Sequence, residues 1–375
     1  MAATVSGAAP DGCTPDDAPA LTLSVHTEWE DFDLLCAEWT DLEDRAAEDN
    51  IFLTWVWQHT WWSELGGDRP LRILAFRQEG RLVGIAPTYL EQEEGRTCVR
   101  FGGGLEVTDY LGFIVEAGLE QAVGCAFLAY WREWPGLTLD FHFLRPDSAT
   151  LRTLKTAAET MNLEYVEEEE EVSPRILLPG DWDAYLASLD KDRRHELRRK
   201  RRRLQEAGAW TVRETGADDL DRHLSLFFDL HRKSSRAKDD FLVGRVESFF
   251  RHIARHLHER GWLALRLMEF APREPGFPPP GPGASGAPEA EIQPEGRPVA
   301  AVLGFVYRGR LLLYNSGYDP AFNRLSAGFV LMSEQVRLSI EQGLQEVDFL
   351  RGNERYKYDL GARDVPLHHF RVALA

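Results

Sequence analysis

The chain has 375 residues, long enough for two domains of ordinary size. Its 43% hydrophobic and 11% aromatic content supports sizeable cores and excludes global disorder, and its net charge of −18 argues against a general binder of nucleic acid or anionic membrane. The four cysteines, Cys13, Cys36, Cys98 and Cys125, are scattered without a Cys-x-x-Cys spacing, so neither a disulfide framework nor a metal site is expected.

Met1–Ala20 is rich in Ala, Gly, Pro and Asp, lacks periodicity, and is expected to be a disordered tail (residues 1–20). It has no basic region followed by an apolar run, so no secretory signal is expected. No apolar segment reaches bilayer length, and the expectation is a soluble cytoplasmic protein without a membrane span. Leu21–Val25 reads as a short strand, and Thr27-x-x-Glu30 as a capping box for the helix after it. Thr54 can cap a second helix that carries Trp55, Trp57, Trp61 and Trp62. Four indoles so close suggest ligand stacking, but core packing is the simpler expectation. Arg72–Arg77 and Arg81–Tyr89 form a hairpin around Glu79-Gly80. Val99–Gly104 and Tyr110–Val115 follow as strands, Leu119–Trp134 as a helix, Leu137–Leu144 as a strand and Ala149–Leu163 as a helix. Glu167–Glu171 reads as a solvated acidic linker.

An internal echo then appears. Leu139-Asp-Phe-His-Phe-Leu-Arg145 resembles Val347-Asp-Phe-Leu-Arg351, each after a helix of similar length and each with a hairpin further upstream. The simplest account is a duplicated α+β unit with a boundary near Gly180, giving domains over residues 21–180 and 181–375. The Pro/Gly-rich segment Ala271–Pro298 is expected to be a disordered loop at a hairpin tip. His195, His223, His231, His252, His256 and His258 fall on polar helix faces and are expected at the surface.

Lys191–Arg203, KDRRHELRRKRRR, is strongly cationic within an acidic chain. It reads as a helix with a thin apolar face of Leu189, Leu197 and Leu204. A solvated face is one account. A local field for a polyanion is the other: phosphates of a cofactor, a tRNA acceptor arm, or an anionic envelope precursor.

The stretch Leu311–Asp359 carries the most chemistry. Leu311–Tyr314 is an apolar strand, and Asn315–Arg324 is turn-rich around Gly317 and Pro320. Leu325, Phe329, Met332, Val336 and Ile340 make one helical apolar face, Ser333, Glu334, Arg337 and Glu341 face away, and Gly343 stops the helix. Glu346–Leu350 is a strand. Arg324-Leu-Ser-Ala-Gly328 puts a cation, a hydroxyl and small residues at a helix start, where free N–H groups favour phosphate. LYNSGYDPAFNRLSAG followed by EVDFLRGNERYKYDLGA resembles the C-terminal part of the GNAT-fold acyltransferase family first named for bacterial cellulose biosynthesis (CelD-like). That family is related to the Fem-type transferases that build peptidoglycan cross-bridges, and the likeness runs from about Leu21 to the end.

The resemblance implies a tandem duplicated GNAT fold, α+β, with mixed and mostly antiparallel sheets flanked by helices. The first copy lacks an Arg-x-x-x-Gly helix start and would help shape the acceptor groove. The second would hold acyl-CoA, acetyl-CoA by preference, along Tyr314, Asn315, Ser316, Gly317, Arg324, Leu325, Ser326, Ala327 and Gly328, a shortened form of the usual pyrophosphate loop. Acyl transfer to an amine needs the reactants held together, a base, an oxyanion donor and sometimes a proton for the leaving thiolate. Glu354 is the leading base and Asp348 the second. Tyr356 and Tyr358 are candidate proton donors, and Tyr318 and Lys357 candidate substrate contacts. The implied function is an N-acyltransferase acting on a small-molecule or glycan-precursor amine in cell-envelope or exopolysaccharide biosynthesis. Two alternatives stand beside it: an aminoacyl-tRNA-dependent Fem-type transferase, with tRNA contact through Lys191–Arg203, and a non-catalytic accessory protein of polysaccharide synthesis.

Overall fold

The computed structural model describes residues 3–5, 21–234, 243–271 and 298–374. The chain divides into two compact units, residues 1–172 with 365–375, and residues 173–364. The expected loop at 271–298 lies outside the described residues except at its ends. The expected tail lies outside them too, except for Ala3–Val5 (β1), which pairs antiparallel with Leu23–Val25.

Unit 1 continues through Leu21–His26 (β2), Asp31–Glu43 (α1), Trp55–Trp61 (α2), Leu71–Gln78 (β3), Arg81–Glu93 (β4) and Arg96–Phe101 (β5). Then come Gly104–Val107 (α3), Ile114–Val115 (β6), Glu120–Arg132 (α4), Leu137–Leu144 (β7), Ala149–Thr160 (α5) and Val166–Val172 (β8). Its sheet runs β1-β2-β3-β4-β5-β7, then the C-terminal strand Pro366–Ala373, then β8, with β6 beside β4. The Thr27–Glu30 box does not form. The helix starts at Asp31 instead, whose carboxylate accepts from the amides of Thr27 and Glu28 at 3.1 Å each. Thr54 does cap α2, accepting from Trp57 N. Trp57, Trp61 and Trp62 are buried, in keeping with core packing. The core gathers Phe101, Phe113, Phe127 and Phe141, with Phe101 and Phe141 stacked at 4.1 Å between centroids.

Two further expectations change in this unit. The acidic run is not a linker but the edge strand β8, because the C-terminal strand supplies it with a ladder and with basic partners: His368 pairs Glu167 at 3.0 Å. Its glutamates also guard the exposed edge. The C-terminal strand, expected to complete a domain over 181–375, is instead inserted between β7 and β8. It brings Phe370 and Val372, both fully buried, into the unit 1 core.

Unit 2 comprises Arg175–Leu177 (β9), Trp182–Ser188 (α6), Lys191–Ala207 (α7), Trp210–Glu214 (β10), Leu220–Ser234 (α8) and Arg245–Glu259 (α9). It continues with Leu263–Phe270 (β11), Pro298–Tyr307 (β12), Arg310–Tyr318 (β13), Ala327–Glu341 (α10), Glu346–Asp348 (β14) and Arg355–Asp359 (α11). The sheet order is β10-β11-β12-β13-β14-β9, antiparallel except for the β13–β14 pair. Strand alternation sends Leu311 and Leu313 into a core with Leu197 and Leu204 of α7 and Val330, Leu331 and Val336 of α10. The other face takes α8 and α9, where Phe250 of α9 meets Tyr314 at 5.2 Å. Gly343, at φ 71, closes α10 as expected, donating to the Ile340 carbonyl.

Alpha10 is not amphipathic as expected. Ser333, Glu334, Gln335 and Ser339 are buried as well: Arg201 of α7 reaches Glu334 at 2.6 Å, and Arg266 of β11 donates to Gln335 Oε1 at 2.7 Å. His223 and His231, expected at the surface, are buried on α8. His223 Nδ1 lies 2.9 Å from Thr215 Oγ1.

A chain ending at Asp364 loses the strand between β7 and β8 and two buried core side chains. It should lose the cooperative melting transition of unit 1 while retaining that of unit 2, measured by calorimetry and by limited proteolysis of residues 21–172.

Candidate functional site

The site begins where two strands part. β13 and β14 pair only from Arg310/Glu346 to Leu312/Asp348. Beyond that point Phe349 N turns to the Pro174 carbonyl, while β13 runs on to Tyr318 with β12 alone along its length. The β12–β13 register slips here: Leu303 faces Asn315 and Gly304 faces Leu313, so Tyr314 is the extra residue of a bulge. The bulge puts both Tyr314 and Asn315 on the α8/α9 face, against Phe250 and against His231, whose Nε2 is 3.1 Å from Asn315 Oδ1. Two residues further on, α8 lies directly on Gly317: a Cβ there would meet His231 N at 2.3 Å and Leu230 C at 2.5 Å. Only glycine admits so close an approach of helix to strand.

The next turn prepares a helix end. Asp319 Oδ1 accepts from Ala321 N at 3.0 Å and opens a short helical turn over Pro320–Leu325. Ser326 is left-handed (φ 56) and α10 starts at Ala327. Helix geometry leaves the first N–H groups, those of Ala327, Gly328 and Phe329, without acceptors inside the helix. Tyr318 packs over this turn, its ring 3.3 Å from where a Gly328 Cβ would stand. Arg324 is exposed and its carbonyl accepts from Arg203 Nη1 at 2.9 Å, so α7 holds the turn in place. A cavity of about 910 Å³ opens beside it, lined by Lys191, Arg193, Lys200, Phe329, Arg355 and Tyr358 together with four acidic side chains. Lys200 Nζ lies 3.9 Å from the centre of the Phe329 ring.

The far wall is the turn after β14. Asp348 is buried and accepts from Ser173 Oγ at 2.9 Å and from Leu350 N at 2.8 Å. Leu350 is left-handed (φ 57), a conformation costly for a branched side chain. Lys357, expected to contact substrate, is buried. Its Nζ donates to the carbonyls of Leu350 (3.1 Å), Arg351 (2.7 Å) and Gly352 (2.9 Å) and pairs with Glu354 at 2.9 Å. Its three donors are thus committed to the turn, as is the Asp348 carboxylate. Glu354 stands at the outer side, its side chain 59% exposed. Tyr356 packs against Phe349, and burial pushes its phenol well above the usual tyrosine range, which makes it a poor proton donor. Tyr358 Oη donates to Asp364 Oδ1 at 2.7 Å and lines the cavity.

His231 escaped sequence reasoning because helical periodicity put it on a polar face. The available signal was Gly317, a small residue in a strand that marks a close backbone approach. Several side chains of the cationic run are also ion-paired. Arg193 pairs with Asp190, Arg199 and Lys200 with Glu196, Arg201 with Glu334 and Arg202 with Glu206.

Residues 191–273 and 289–358 match the family model of the acetyltransferase (GNAT) domain. The match lies within unit 2, and the chain as a whole is two α+β units, each with a mostly antiparallel sheet flanked by helices. Its structure resembles the crystal structure of FemX at 13% identity, covering 90% of this chain and 96% of that one, with a TM-score of 0.60. It also resembles a conserved protein of unknown function from Bacteroides thetaiotaomicron (12% identity, 92% and 97% covered, TM-score 0.54). A third likeness is the C-terminal domain of a candidate lysylphosphatidylglycerol synthetase from Agrobacterium fabrum (11%, 91% and 92% covered, TM-score 0.52). No curated protein sequence matches.

Lys357→Met removes the donor from three carbonyls in a buried turn and should destabilise unit 2 by about 2–4 kcal/mol in urea unfolding. Gly317→Ala forces α8 off β13 and should cost about 1–3 kcal/mol in the same assay.

Proposed function

We propose that unit 2 transfers an acyl group from acyl-CoA, acetyl-CoA by preference, to an amine acceptor in cell-envelope or exopolysaccharide biosynthesis. The observation that carries this reading is the bulged strand β13 parting from β14 beside the first turn of α10. An extended acyl carrier can enter such a gap with its pyrophosphate on the amides of Ala327 and Gly328, where the helix dipole favours anions. Arg324, at the rim, adds a cation. Backbone N–H groups from Asn315 to Tyr318 are the candidates for stabilising the oxyanion. Glu354, exposed and held by Lys357, takes the amine proton, directly or through water. The thiolate then leaves with its CoA carrier, and Tyr358, which lines the cavity, is the candidate phenol for its proton. The resemblances to FemX and to the candidate lysylphosphatidylglycerol synthetase domain favour an envelope acceptor.

A second reading replaces CoA with an aminoacyl-tRNA, the donor that the Fem-type resemblance implies. It is favoured by the FemX likeness, which spans 96% of that chain. The ion pairs that occupy much of the α7 run weigh against a wide polyanion field. Thermal shifts measured separately with CoA, acetyl-CoA and bulk tRNA distinguish the two. CoA should raise the unit 2 transition, and a shift with tRNA alone would replace the lead reading. No shift with any of the three would leave the accessory role. With a responsive donor in hand, Glu354→Gln should lower turnover at least about 100-fold while the CoA shift persists. An unchanged rate removes Glu354 from the mechanism.

A further inference from the structure

Unit 1 carries a side-chain cluster that acyl transfer does not use. Across one face of its sheet stand Arg100 on β5, Asp140 and His142 on β7, Glu168 and Glu170 on β8, and His369 on the C-terminal strand. Alternation along β7 places Asp140 and His142 opposite Phe141, which is buried in the core. Each imidazole stands between two carboxylates. His142 directs Nδ1 to Glu170 Oε2 at 2.7 Å and Nε2 to Asp140 Oδ2 at 3.5 Å. His369 directs Nε2 to Asp140 Oδ1 at 2.5 Å and Nδ1 to Glu168 Oε1 at 3.5 Å. A neutral imidazole has one N–H and one lone pair. Flanked on both sides by anions, it must aim the lone pair at one of them. A positive species, proton or metal ion, therefore belongs between each Nε2 and Asp140.

We propose that Asp140, His142 and His369 form a binding site for a divalent transition metal of the zinc class, through Asp140 Oδ1 and the two Nε2 atoms. One ligating atom from each of the three residues lies within 4.8 Å of those of the other two. Glu170 and Glu168 stand behind the rings as the carboxylate–histidine pairs that fix the tautomer and raise ligand basicity. The two rings stack, centroids 3.9 Å apart at 14°. Filled with protons, they would set two imidazolium charges face to face, beside the Arg100 guanidinium 2.9 Å from Asp140 Oδ2. One dication shared by two neutral rings carries the same charge without that repulsion. Arg100 keeps Oδ2 and leaves Oδ1 for the ion. Binding requires the Asp140–His369 contact to open to about 3.3 Å and the rings to tilt together, as bonds of roughly 2.0–2.1 Å in a tetrahedron demand. Two histidines and one carboxylate leave a fourth position for water or an added ligand. The donors come from strands far apart in sequence, 229 residues for Asp140 and His369, so no short motif announces them. The site lies within unit 1 and does not depend on the acyl-transfer reading.

The test uses the full-length, untagged chain after dialysis against chelator, titrated with Zn²⁺ and separately with Co²⁺ as a spectroscopic probe. One ion per chain, visible ligand-field bands of a tetrahedral nitrogen–oxygen site with Co²⁺, and a higher Tm with Zn²⁺ are expected. His142→Gln and His369→Gln should abolish the bands and weaken Zn²⁺ binding more than about 100-fold. Glu170→Gln leaves all three ligands in place, keeps an oxygen for the Phe143 amide that Glu170 accepts from, and should weaken binding about 10–100-fold with the bands retained. Circular dichroism and melting of each metal-free variant establish folding. If a histidine variant does not fold, Glu170→Gln decides, and unchanged affinity there overturns the proposal. So does a lack of saturable binding to the parent chain, or binding as tight as the parent's in both histidine variants. The cluster would then be a proton-filled ion-pair network that fastens the C-terminal strand.

Discussion

The separation of β13 from β14 sets what unit 2 can do, and it is maintained by polar bonding rather than by apolar filling. β14 is only three residues long because the backbone after it is committed elsewhere. Phe349 N bonds Pro174, Leu350 N bonds Asp348, and the next three carbonyls surround the Lys357 ammonium. A left-handed leucine costs on the order of 1 kcal/mol. Charge-assisted hydrogen bonds from a buried ammonium, each about twice a neutral one, offset that cost. On the opposite side the bulge at Tyr314 turns β13 away, and Gly317 lets α8 press on it. Each wall of the gap is therefore fixed independently of any ligand.

The electrostatics follow the same local logic. The chain is strongly acidic overall, and several cations of its basic helix pair with nearby carboxylates within unit 2. What the basic helix contributes most directly is support: Arg203 on the Arg324 carbonyl and Arg201 on the buried Glu334 of α10. On the reading we propose, anion binding here rests on helix-end amides and a few rim cations, short in range and only weakly sensitive to the charge of the whole chain.

The two copies of the strand-and-turn element have diverged in use. Both strands carry an aspartate, with a left-handed non-glycine residue two or three positions after it, Phe143 at φ 55 and Leu350 at φ 57. In unit 2 the aspartate folds back on its own turn. In unit 1 Asp140 faces Arg100 and two histidines, one of them supplied by the strand that comes last in sequence.

Hydrophobic periodicity, the turn residues and the internal echo were enough to read the duplication, the α+β class, the strand–turn–helix around Arg324–Gly328 and the stop at Gly343. These are local features, with period and punctuation carried by adjacent residues. Which strand joins which sheet was not legible, because pairing depends on partners nearly two hundred residues away. The C-terminal strand therefore went to the wrong unit and the acidic strand beside it was read as a linker. The same holds for side-chain roles. Lys357 looked like a substrate contact and His231 like a surface residue. Only the fold supplied the carbonyls around the one and the strand beneath the other, since burial and bonding are properties of neighbours in space rather than in sequence.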